Sequence, residues 1–197
     1  MEQKPQPPIP NDDQSLIQFV DWLLQPMSYR IFAYKPTESI PKDTNEFIRR
    51  LVRPLPYRVF CDKLLEFNAK EFEGLVADLL GSLGGQVIPS KEGADGGADL
   101  LWKISKGEYI VQCKKWEKKV GIPIVREIYG ATMKSQTNGA FIVTKSEFTD
   151  WAIDFTKDLS PRVGLIDGRL LFNLLTQIMP SIVEDIQEGR WKRNKLR

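Results

Sequence analysis

Gly93-Ala94-Asp95-Gly96-Gly97-Ala98-Asp99 runs into Leu100-Leu101-Trp102-Lys103-Ile104, and after a short turn the chain returns as Tyr109-Ile110-Val111-Gln112-Cys113-Lys114-Lys115-Trp116. This reads as a glycine-rich loop feeding a β-hairpin, with apolar residues in both runs and a turn centred on Lys106 and Gly107. Strands are expected over residues 98–104 and 109–115. Side-chain alternation puts Gln112 and Lys114 on one face and Val111 and Cys113 on the other. With Asp99 opening the first strand, an acid, an amide and an amine are set to converge at one hairpin. Such a group is costly inside an apolar sheet unless compensated, and a metal ion with a phosphate would compensate it.

Around this stretch the composition excludes a good deal. The chain has 197 residues, a formal net charge of +2 and no histidine. That length suits one domain with an extension and a proper core. Without histidine, Ser-His-Asp and Cys-His nucleophiles, HExxH zinc sites and histidine-based nucleases all fall away. No Walker A or GxGxxG pattern is present, so a nucleotide cofactor is not indicated. No apolar run approaches membrane-spanning length, and the opening residues carry no signal-peptide pattern. The two cysteines, Cys61 and Cys113, form no CxxC pair, and a reduced, cytoplasmic setting is expected. Catalysis, if any, falls to carboxylates, amides, lysines and a hard metal.

Residues 1–14 are rich in Pro and Gln and are expected to be disordered. Ser15 and Gln18 have capping-box spacing, and Leu16, Phe19, Val20, Leu23 and Leu24 form an apolar stripe on the helix that follows. A short strand at 29–34 and a short helix at 45–52 are compatible with the mixed segment beyond it. Pro54 and Pro56 break whatever precedes them. Residues 15–65 thus form a small, mostly helical accessory region. From Asn68 the pattern sharpens: Asn68 caps, Glu71 completes the box, and Phe72, Leu75, Val76, Leu79, Leu80 and Leu83 recur at helical spacing before Gly84-Gly85. Glu71 and Asp78 fall on the wet side of this helix, whereas Glu73 sits at the border of the apolar stripe. A strand at 86–88 leads to the hairpin. A helix opening at Pro123, a strand at 140–144, a helix at 148–159, a strand at 163–166 and a helix at 170–178 complete the pattern. This alternation predicts an α/β layer with a mixed central sheet flanked by helices. A final helix and a basic tail occupy 181–197.

The ordered blocks resemble the Mrr-type restriction endonuclease domain of the PD-(D/E)XK nuclease superfamily. They are Phe72-Glu73 in a helix, the Gly93 to Asp99 loop, Val111-Gln112-Cys113-Lys114, Val125 to Gly130, Phe141 to Thr144 with Phe148-Thr149, and Leu165 to Gly168. The resemblance covers roughly residues 66–178, within a domain expected over 66–180, and implies a restriction-endonuclease-like core. It also implies roles. Asp99 is the central metal carboxylate, Gln112 takes the place that Glu or Asp holds in most of the superfamily, Lys114 is the catalytic lysine and Glu73 the helix carboxylate. Asp99, Gln112 and Glu73 would then hold Mg²⁺, with Mn²⁺ as a substitute, and hydrolysis would leave a 5′-phosphate and a 3′-hydroxyl. Oxygen ligands suit Mg²⁺, which keeps several of its waters and so needs few protein donors. Bound there, it would lower the pKa of water and polarise the phosphate.

Bland readings stand beside these. Gln112 and Lys114 are also what an exposed edge strand would carry, and Asp95 suits an Asx-turn. Cys113 reads as an inert core residue. Lys115, Lys118, Lys119 and Arg126 form a basic strip beside the site and are the candidate DNA contacts. The tail from Arg190 could add to them. The favoured reading is a metal-dependent DNA endonuclease of a restriction or defence system. A non-cleaving DNA-binding or partner-recruiting module and a structure-selective repair nuclease are the alternatives, with a homodimer or a specificity subunit as possible partners.

Overall fold

The computed structural model describes residues 8–25, 56–90 and 97–191, and the backbone of two further pairs, Lys4–Pro5 and Arg30–Ile31. Those two pairs, β1 and β2, lie parallel to each other. The main sheet has five strands in the order β3 (Gln86–Pro89), β4 (Leu100–Ile104), β5 (Gly107–Lys114), β6 (Gly139–Thr144) and β7 (Arg162–Ile166). The first three are antiparallel neighbours, and β5, β6 and β7 are parallel. The sheet is therefore mixed, with β5 at its centre.

Seven helices complete the described structure: α1 (Asp13–Leu23), α2 (Pro56–Glu66), α3 (Ala69–Leu83), α4 (Ile122–Ser135), α5 (Asp150–Phe155), α6 (Gly168–Ile178) and α7 (Pro180–Gln187). They form two layers, because the central strands are apolar on both sides. Phe141 and Val143 of β6 enter one core with α1, α2, α3, α6 and α7. Ala140 and Ile142 enter a second core with α4 and α5. Trp102, fully buried in the first core, has its indole N–H satisfied by Gly84 O at 2.8 Å.

The helix that carries Glu73 starts as its sequence predicts. Asn68 Oδ1 accepts from Glu71 N–H at 2.9 Å, and Glu71 Oε2 accepts from Asn68 N–H at 2.7 Å. All six apolar residues predicted for its stripe are buried. Gly84 and Gly85 end it in left-handed backbone, at φ of 127° and 81°.

Other boundaries move for identifiable reasons. The first helix begins two residues before Ser15, because Asp12 is the cap and Ser15 its third-position partner. The hairpin turn is Ser105-Lys106, one residue early, since Gly107 already pairs with Ile104. The helix expected over 148–159 is an α-helix only from Asp150 to Phe155, followed by a 3₁₀ turn at Thr156–Asp158. Pro56, expected to break what precedes it, opens a helix, the missing N–H costing nothing at a first turn. The helix expected at 45–52 lies outside the described residues.

Candidate active site

One edge of the sheet gathers the chemistry. Because β4 runs against β5, its beginning lies beside the end of β5, and the parallel strands β6 and β7 end on the same side. Asp99 immediately precedes β4, Gln112 and Lys114 close β5, and the first half of α3 brings Glu73. Ligand sites of open α/β sheets cluster at this carboxyl edge, where loops diverge.

Asp99 is fixed by backbone on both sides. Its N–H donates to Val111 O at 2.9 Å, and its Oδ2 accepts from Cys113 N–H at 2.6 Å. Burial raises its carboxyl pKa. The Cys113 hydrogen bond pulls it back, the Glu73 charge pushes it up again, and Lys114 and Lys70 lower it. Glu73, Asp99 and Lys114 therefore share one electrostatic environment. Glu73 has a side chain 15% exposed and holds Lys70 Nζ at 3.1 Å.

Gln112 settles the edge-strand alternative, because it is fully buried at the centre of the sheet. Its Nε2 donates to Gly97 O at 2.8 Å. Its Oε1 is buried with no hydrogen-bond partner among the described residues. A buried amide oxygen without a partner costs about 1–3 kcal/mol, and a hard cation would remove that cost. No three His, Cys, Asp or Glu side chains group as metal ligands among the described residues. The oxygens that would suit Mg²⁺ or Mn²⁺ are those of Asp99, Gln112 and Glu73, of which Asp99 and Glu73 are linked electrostatically. Bound there, the ion would supply Lewis acidity at a phosphate oxygen and a more acidic water.

Lys114 lies with Nζ 5.6 Å from the centre of the Trp116 ring. Its carbonyl accepts from Thr144 Oγ1 at 2.7 Å, which pins the end of β5 to the end of β6. Cys113 packs in the first core, on the α3 side of the sheet, and its thiol pKa is raised well above the usual range, first by burial and then by the Asp99 and Glu73 charges. Asp95 lies outside the described residues.

The basic strip is rearranged by its partners. Lys119 pairs with Glu147 at 2.7 Å, and Arg126 covers the Phe155 ring at 5.3 Å. Lys115 Nζ donates to Leu65 O at 2.9 Å. Lys118 is exposed. Arg190 of the tail is engaged by Asp185 and Glu188, and residues beyond 191 are outside the described set. Two cations that the sequence reading passed over join this edge. Lys145 follows β6, its pKa lowered by burial, raised by Glu117 and lowered by Lys115. Arg169 follows β7 and lies 5.3 Å over the Tyr57 ring. A cation just past each predicted parallel strand was the available signal.

A mixed five-stranded sheet of this order, polar at the carboxyl edge, is the fold class of restriction endonucleases. The chain belongs to the restriction endonuclease family of the Mrr catalytic type, whose sequence profile matches residues 64–175. Among curated proteins it is similar to the type IV methyl-directed restriction enzyme EcoKMrr of Escherichia coli (strain K12). The two are 30% identical over 122 residues, covering 58% of this chain and 40% of the relative. Among solved structures it shares its fold with the DNA modification-dependent restriction endonuclease AspBHI, with a TM-score of 0.55 and 17% identity over 78% of this chain and 43% of the other. The chain thus spans about two fifths of the length of each.

Proposed function

We propose that the protein is a metal-dependent DNA endonuclease that hydrolyses phosphodiester bonds, acting in the cytoplasm as part of a restriction or defence system. The observation that carries this is Gln112 Oε1, buried and unpartnered at the strand position beside Asp99 and Lys114. Asp99, Gln112 and Glu73 would hold Mg²⁺ or Mn²⁺. Lys114 orients the attacking water and offsets the charge that builds on the phosphate oxygens as the bond to the leaving oxygen breaks. Lys115, Lys118, Arg126, Lys145 and Arg169 track the DNA backbone past this centre, while Lys119 contributes less because the Glu147 carboxylate already neutralises it.

Both named relatives have a dependence on DNA modification in their names, so methylated DNA is the substrate to test first. The test is nicking of supercoiled plasmid, methylated and unmethylated, in Mg²⁺, in Mn²⁺ and in EDTA. Divalent-dependent nicking is expected, with Asp99→Ala and Lys114→Ala lowering the rate roughly 100-fold or more. Cleavage that survives either substitution, or the absence of nicking on methylated, unmethylated and branched DNA alike, would refute the enzyme reading. The second outcome, with binding retained, would favour a non-cleaving DNA-binding module.

A further inference from the structure

Gln112 poses a problem that an aspartate or glutamate at the same position would not. The two ends of a carboxylate are alike, whereas a glutamine presents a ligand oxygen at one end and an amide that cannot bind a cation at the other. A metal site built on glutamine therefore needs something to choose which way round the amide sits. Gly97 O is one such group, since it accepts from Nε2.

The second is on α4. Gly97 is in left-handed backbone, at φ of 94°, and a methyl group there would meet Gln112 Nε2 at 2.8 Å and Glu127 Oε1 closer still. The glycine thus lets a carboxylate and an amide close over one α-carbon. Val125 and Ile128, which flank Glu127 on α4, are buried in the second core and hold the helix in place. Glu127 itself is exposed. Gly97 O accepts from Nε2, and the Glu127 carboxylate lies with Nε2, the same end of Gln112, beside the Gly97 α-carbon. Reversing the amide would turn Oε1 toward both of them and take from Gly97 O the N–H it accepts.

We propose that Glu127 is a positioning residue of the metal site: it acts on Gln112, disfavouring the reversed amide so that Oε1 is presented to the ion. This rests on the reading of Gln112 as a metal ligand. Gly97 supports it by leaving the space between the two side chains open.

The test is Mn²⁺ affinity, measured by calorimetry or electron paramagnetic resonance on the full chain without DNA. The four proteins are wild type, Glu127→Gln, Gln112→Glu and the double variant. Loss of a group that orients a metal ligand costs about 10-fold in affinity, and that loss is expected for Glu127→Gln with Gln112 in place. With glutamate at 112 there is no orientation to choose, so the same substitution should change affinity little or increase it. An equal loss in both backgrounds would show that Glu127 acts only through its charge or as a ligand, and would overturn the proposal, as would no loss with Gln112 in place. Absence of saturable Mn²⁺ binding in wild type would instead overturn the metal reading, and this inference with it. Protection of the Gln112 side-chain NH₂ in hydrogen exchange by NMR gives the same test without altering Gln112. It should fall in Glu127→Gln, and unchanged protection would count against the proposal.

Discussion

Asp99 is the residue at which stability and chemistry pull in opposite directions. Burial and the neighbouring Glu73 charge favour its protonated form, against the Cys113 N–H and the two lysines, and the net direction is upward. The folded protein therefore binds this proton more tightly than the unfolded chain does. Asp99 accordingly destabilises the fold above the ordinary carboxylate range, and that cost disappears as pH falls through it. Asp99→Asn keeps an oxygen for Cys113 N–H and removes the charge. It should raise Tm at pH 7 by about 1–3 °C, a figure kept low because the group is partly solvated, and the gain should vanish near pH 3–4. Adding Mn²⁺ should raise the Tm of wild type and leave the Asn variant unmoved. Scanning calorimetry at two pH values, with and without the ion, checks both statements. A wild type more stable than the variant at pH 7 without metal would contradict the first.

Among the elements, α3 was the most legible in sequence, because its start, stripe and stop all agree. Its capping box fixes the start of the helix whose next turn carries Glu73, the charge that helps raise the Asp99 pKa. Asn68→Ala should cost about 1 kcal/mol, seen as a lower urea midpoint at constant slope. It should also lower nicking if the turn moves Glu73. The hairpin was legible too, since period-2 alternation assigned Gln112 and Lys114 to one face and Val111 to the other. The turn slipped by one residue because Gly107 was read as a turn glycine, whereas it is a strand residue against Ile104. It is glycine because the Asn138 side chain occupies the space a Cβ would need. In α2, Phe60 and Leu64 are buried one turn apart, but the prolines at 54 and 56 obscured this short period.

At the scale of the whole molecule, the three parallel strands end in cations on the edge that carries Asp99, and this sets how DNA would approach. A phosphate contact releases counterions, so each one adds about 0.9 to the slope of log affinity against log salt for duplex DNA. Lys118→Ala and Lys145→Ala should each flatten that slope by about that amount between 50 and 200 mM salt in fluorescence anisotropy. Lys119→Ala should flatten it less, because Glu147 already neutralises Lys119. Equal slopes in all three variants would move the DNA path elsewhere. The apolar residues of α1 and α2 belong to the same core as α3 and the sheet, so these two helices also close one face of the domain. Among the described residues no helix is long and apolar enough to cross a membrane.

The Gly93 to Trp116 stretch by itself determined the hairpin and the facing of Gln112 and Lys114, and Asn68 to Leu83 put Glu73 at the border of its helix's apolar stripe, because these follow from local periodicity and capping. Which strand is central, and hence that Gln112 is buried with its Oε1 unpartnered, depends on pairing between β5 and β6 across an intervening helix. So does the meeting of Glu127 with Gly97, and so does the edge on which Lys145 and Arg169 stand. Those are non-local contacts, and spacing along the chain carries no record of which residues will face one another once the sheet closes.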